Sequence, residues 1–143
     1  MSVPAVMLVS HSSELLGEMT EALKDEKIEL FLVKSGEEAF LRLLREPVNL
    51  VICEFRLPKM NGIELADRVR KLFYGIRFLI IIDRKDMTSY LLEVRKRTYF
   101  FPIFYKPIEP TLFQQKVKKI LREGVAREQI VFKPQAIKIL KAG

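Results

Sequence analysis

Short apolar runs alternate along this chain with segments whose apolar residues recur at helical spacing. Ala5-Val-Met-Leu-Val9 is continuous and apolar, as in a strand buried on both faces. From Ser12 to Lys24, Leu16, Met19 and Leu23 fall at i, i+3 and i+7, one buried stripe of a helix. A second, more one-sided strand follows over Ile28–Val33. Ser35-Gly-Glu-Glu38 reads as a capping box, with a hydroxyl at the N-cap and Glu three residues on. Phe40, Leu43 and Leu44 continue that helix, and Pro47 lies just past its end.

Asn49-Leu-Val-Ile-Cys53 predicts a third strand, followed by a turn-rich loop from Phe55 to Gly62. Asn61 and Glu64 then cap a helix whose Leu65, Val69 and Leu72 share a face. Phe78-Leu-Ile-Ile-Ile82 is the most apolar run and predicts a central fourth strand. Asp86 is placed to cap the next helix, with Met87, Leu91 and Val94 on one face. Phe100 to Tyr105 predicts a fifth strand, and Pro102 within it argues for a sheet edge. Glu109-Pro110 opens a last helix with Phe113, Val117 and Ile120 inward, cations Lys118, Lys119 and Arg122 near its negative end, and Gly124 as its cap. The pattern is (βα)5, which implies a parallel sheet covered by helices on both faces.

The chain has 143 residues, one Cys and one His. That length fits one domain with a core that needs no staples, and one cysteine excludes a disulfide framework or a multi-cysteine zinc site. No apolar run has the length of a membrane span, and the first residues lack the basic region of a signal peptide. A cytoplasmic location is therefore expected. Residues 125–143 lie beyond the repeat but carry Ile130, Val131, Phe132, Ile137, Ile139 and Leu140. They divide the chain into a domain over 1–124 and an extension or linker over 125–143. A docked segment, a linker and a partner-binding helix are all compatible with them.

Charge is unevenly placed. Residues 1–83 carry 11 basic and 13 acidic groups, a net of −2, whereas residues 84–143 carry 14 and 5, a net of +9. A solvated surface explains this, as does an acidic partner. No helix-turn-helix or RNA-binding signature accompanies the charge, so nucleic-acid binding is not expected of this domain alone.

In an open parallel sheet, ligands meet the carboxyl ends of the strands. Ser10-His11-Ser12 follow the first strand, Glu54 ends the third, Asp83 follows the fourth and Lys106-Pro107 follow the fifth. One pocket should thus collect a hydroxyl, an imidazole, two carboxylates and an ammonium.

Leu50-Val-Ile-Cys-Glu-Phe-Arg-Leu-Pro-Lys-Met-Asn-Gly62 and Tyr105-Lys-Pro-Ile108 carry a resemblance. Over about residues 4–124 the chain is similar to receiver domains of bacterial two-component response regulators. The resemblance implies a flavodoxin-like three-layer α/β sandwich with sheet order 2-1-3-4-5. Five positions depart from the family pattern. Glu54 replaces the phosphoacceptor Asp, and Ser10 and His11 replace the acidic pair that binds magnesium. Asp83 replaces the Thr or Ser that holds the phosphoryl group, and Ile103 replaces the aromatic switch residue. Lys106 is kept.

Magnesium prefers oxygen ligands that include one or two carboxylates. Glu54 is one methylene too long, and misplacement by about an ångström costs up to ~100-fold. Asp83 adds a negative charge where phosphate oxygens would sit, a repulsion of ~4 kcal/mol at 4 Å and an effective dielectric of about 20. The expected function is signal transduction by a degenerate receiver through protein contact, with no phosphorylation, metal, cofactor or enzymatic activity. A phosphoacceptor with an unusual site and a basic nucleic-acid-binding regulator are the alternatives. Glu54 is either a bystander in a dead pocket or a standing mimic of phospho-aspartate that pairs with Lys106. His11 reads as a solvated loop residue or a pH sensor, and Cys53 as buried and inert.

The expected partners are a histidine kinase, an effector domain or another signalling protein. Receivers also form homodimers through the face built from the fourth helix, fifth strand and fifth helix. On this chain that face would carry Tyr90, Arg95, Lys96, Arg97, Tyr99, Phe104, Lys116 and Lys119.

Overall fold

A computed structural model describes residues 3–97, 100–123 and 131–132. Five parallel strands form the main sheet: β1 (Ala5–Val9), β2 (Glu29–Val33), β3 (Leu50–Glu54), β5 (Arg77–Ile82) and β6 (Ile103–Tyr105). Their order is β2-β1-β3-β5-β6. Counted among these five alone, that is the expected 2-1-3-4-5. The numbering shifts because a two-residue strand, β4 (Phe73–Tyr74), precedes β5 and belongs to a separate small sheet.

Side chains on successive strand residues alternate between faces, so each central strand feeds two cores. Val6, Leu8, Leu50, Ile52, Leu79 and Ile81 face α1 (Ser13–Leu23) and α5 (Pro110–Glu123). Met7, Val9, Val51, Cys53, Ile80 and Ile82 face α2 (Gly36–Leu43), α3 (Gly62–Leu72) and α4 (Met87–Arg95). The expected stripes Leu16–Met19–Leu23, Leu65–Val69–Leu72 and Phe113–Val117–Ile120 are all buried. Each such side chain contributes roughly 1.5–3 kcal/mol on leaving water. No described helix is long and apolar enough to cross a membrane.

Several local expectations change. Asn49 stays outside β3; its side-chain oxygen accepts from the Ala5 N–H at 2.9 Å. Ser35 caps α2 by accepting from the Glu38 N–H at 3.1 Å, but Glu38 reaches back to the Lys34 N–H at 3.3 Å, so the reciprocal box is not closed on Ser35. The Asn61–Glu64 box is complete. On α4 the inward residues are Tyr90 and Val94, with Met87 partly buried, whereas Leu91 is exposed. Tyr90 takes the inward place because its hydroxyl donates to the Phe101 carbonyl at 2.9 Å and its ring meets Phe55 edge-on. The fifth sheet strand is shorter than expected and lies at the edge, as Pro102 implied. Phe101 is buried beneath it, while Phe100 is 72% exposed.

Beyond α5, Val131–Phe132 form β7, antiparallel to β4. Gly75 makes the turn between β4 and β5 at φ 86°, a value open to glycine. Arg77 Nη1 donates to the Glu123 carbonyl at 3.2 Å, tying the end of α5 to the start of β5. Gly124 and the remainder of 125–143 lie outside the described residues.

Candidate functional site

Ser10 follows β1, Glu54 ends β3, Asp83 follows β5 and Lys106 follows β6, so the parallel sheet delivers all four to one rim. Ser10 and Glu54 are both buried, Glu54 at 9% exposure. The Ser12 N–H donates to Ser10 Oγ at 2.9 Å, and the Ser10 hydroxyl donates to Glu54 Oε1 at 2.6 Å, a short, charge-assisted bond. The Lys106 ammonium pairs with the other oxygen, Glu54 Oε2. It also lies 3.5 Å from Asp83 Oδ2. Burial by itself lowers the Lys106 pKa, but the hydrogen bond and charge of Glu54, and then Asp83, more than reverse this and raise it above the ordinary lysine value.

The loop after Glu54 is held close to the strand end. The Gly62 N–H donates to the Phe55 carbonyl at 2.7 Å, and Arg56 and Asn61 form an isolated antiparallel bridge. A Cβ on Gly62 would stand 2.9 Å from the Glu54 carbonyl oxygen, so helix α3 starts this close to β3 only because residue 62 is glycine. Cys53, just below, is fully buried; burial and then the Glu54 charge push its thiol pKa upward.

The remaining expected site residues divide. His11 is exposed at the mouth of a cleft of about 570 Å³ that Glu54, Phe55, Arg56 and Met60 also line. Ile103 is half-buried on β6 against the apolar core and brings no ring to the rim. Tyr90 does not belong to a surface: it is 3% exposed and bonded inward to Phe101. Arg97 is half-buried, and its pairs run to Glu93 at 3.2 Å and to Asp67 on α3 at 3.7 Å, which turns it away from the α4–β6–α5 face. Phe104 packs edge-on against buried Phe113 at 5.4 Å and is half core. Arg95, Lys96 and Lys119 are exposed and Lys116 half-exposed. Tyr99 lies outside the described residues.

One partnership was missed in the sequence. Asp86 is 4% exposed and makes no helix-cap bond. It accepts from Arg56 Nε at 2.8 Å, and Arg56 Nη2 lies 2.8 Å from the same oxygen. That bond raises the Arg56 pKa further. The pairing spans 30 residues and two loops, and no periodicity signals it.

The family model for the response regulator receiver domain matches residues 6–118. The alkaline phosphatase synthesis transcriptional regulatory protein PhoP of Bacillus subtilis is 26% identical over 121 residues, which cover 83% of this chain and 49% of that protein. The chain spans about half the length, or less, of the curated relatives it matches. Among solved structures, an uncharacterized protein from Neptuniibacter caesariensis superposes with a TM-score of 0.77 at 25% identity, covering 83% of this chain and 87% of that one. The signal receiver domain of an HD domain-containing protein from Pseudomonas fluorescens Pf-5 shares the fold with a TM-score of 0.78 at 18% identity, covering 86% of this chain and 90% of that one. The match runs through every strand of the main sheet and the whole rim just described, and the chain belongs to the response regulator receiver domain family, regulatory modules of signal transduction.

Proposed function

We propose that this receiver transmits its signal through protein contact alone, with a pocket that neither takes a phosphoryl group nor binds magnesium. One observation carries the reading: both oxygens of Glu54, at the family's acceptor position, already have internal partners, Ser10 on one and Lys106 on the other. A nucleophile presents a lone pair to the incoming phosphorus; each Glu54 oxygen keeps a second one, but the bonds from Ser10 and Lys106 draw off its charge and fix its orientation, which blunts it for attack. Magnesium needs several oxygen donors in octahedral geometry. The rim offers a hydroxyl committed to Glu54, an exposed imidazole and two carboxylates, Glu54 engaged on both sides and Asp83 facing Lys106 at 3.5 Å. Among the described residues no three His, Cys, Asp or Glu side chains gather as a metal site.

The Glu54–Lys106 pair supports the standing-mimic reading of Glu54, since it supplies the carboxylate–ammonium contact without a kinase. The surface that meets a partner is then the α4–β6–α5 face, where Leu91, Leu92 and Leu112 are exposed beside the open edge of β6. Its occupant is a kinase, an effector domain, another signalling protein or a second copy. Residues 1–124 act as the receiver unit and 125–143 as an extension or linker.

The test is intact-mass measurement after incubation with acetyl phosphate and Mg²⁺. The expected spectrum shows the unmodified chain only. A stable species heavier by about 80 Da, one phosphoryl group, overturns the proposal.

A further inference from the structure

We infer that residues 83–86, between β5 and α4, are pinned by a closed ring of charged side chains that fixes the rim in one conformation without phosphate or a divalent ion. This deepens the function just proposed and rests on it. Lys106 joins Glu54 to Asp83, the latter at 3.5 Å. Three residues on, buried Asp86 is held by Arg56 at 2.8 Å. Arg56 stands two residues after Glu54, so the ring closes through the start of the β3–α3 loop. Within the pinned segment, the Arg84 guanidinium sits 4.0 Å from the ring centroid of Tyr105, the residue before Lys106. The Asp86 N–H donates to the Asp83 carbonyl at 2.9 Å and winds the segment into a single turn.

Three carboxylates (Glu54, Asp83, Asp86) are thus held by two cations, Lys106 and Arg56, while Arg84 lies over the Tyr105 ring. A metal ion or a phosphoryl anion would have to break one of these pairs to enter. The pins differ in strength. Asp83 and Arg56 are well exposed and their charges are screened, whereas Asp86 is buried and would be left without a partner if Arg56 were removed. The Arg56–Asp86 contact is therefore the one on which the ring depends.

Hydrogen–deuterium exchange on the full chain tests this. Arg56→Gln is expected to speed exchange of the amides at residues 83–90 about tenfold, through local opening, while amides of β1 and β3 keep their rates. Wild-type rates at 83–90 in that variant overturn the inference. Should Arg56→Gln unfold the chain, Arg84→Ala, an exposed substitution, is expected to give a smaller rise at the same amides, and its silence overturns the inference equally. A phosphoryl adduct in the mass measurement removes the proposed function, whereas a silent Arg56→Gln in a chain that takes no phosphate removes the ring alone.

Discussion

Ile52 and Glu54 stand two residues apart on β3, with side chains on the same face of the sheet, yet they belong to different regimes. Ile52 is surrounded by aliphatic side chains from neighbouring strands, α1 and α5. Its contribution comes from volume and area, and any well-fitting apolar residue would serve the fold nearly as well. Glu54 sits where the strand meets the rim, and what it does depends on atoms: one oxygen toward Ser10, one toward Lys106. The middle of the sheet makes a receiver fold of this chain. The rim carries the charged and polar groups at the strand ends.

The contrast can be broken from either side. The largest stability loss is expected in the interior: Ile52→Ala should cost about 2–5 kcal/mol in denaturant unfolding, because a fully buried site cannot refill the space. At the rim, Lys106→Met should cost less, about 2 kcal/mol, because it leaves the buried Glu54 carboxylate without its cation although Lys106 is partly solvated. The rim loss should also depend on pH. The folded state raises the Lys106 pKa, so the stabilisation is complete below the ordinary lysine value of 10.5 and disappears as pH climbs through the raised one. Urea titrations of wild type and Lys106→Met should therefore converge on the alkaline side of that range. A gap that stays constant there would deny the ion pair its role. The smallest effect is expected where charges pair in full solvent. Lys24→Ala removes the exposed pair with Glu21, and its melting temperature should equal that of wild type. A measurable drop would mean that surface pairs cannot be separated from the rim by burial.

The sequence showed much of the site. Ser10, Glu54, Asp83 and Lys106 each follow or end an apolar run, and strand ends in a parallel sheet converge, so their gathering is read from spacing. His11 shares the spacing but not the contacts, since a residue after a strand can point to solvent as readily as inward. The family resemblance puts Tyr90 on the partner face, but a resemblance does not fix which way one helix residue turns; the bond to the Phe101 carbonyl turns it inward. Asp86 carries a capping signal that its neighbourhood overrode, because a buried carboxylate gains more from the Arg56 guanidinium than from backbone N–H groups.

Periodicity and turn chemistry are local, and they alone determined five sheet strands, five helices, an edge strand marked by Pro102 and the set of residues delivered to the rim. Tertiary structure decided which oxygen of Glu54 meets which partner, that Arg56 closes on Asp86, and that Val131–Phe132 return to pair with β4. These contacts join residues tens of positions apart. Their strength depends on burial and orientation, quantities that exist only after the chain has packed.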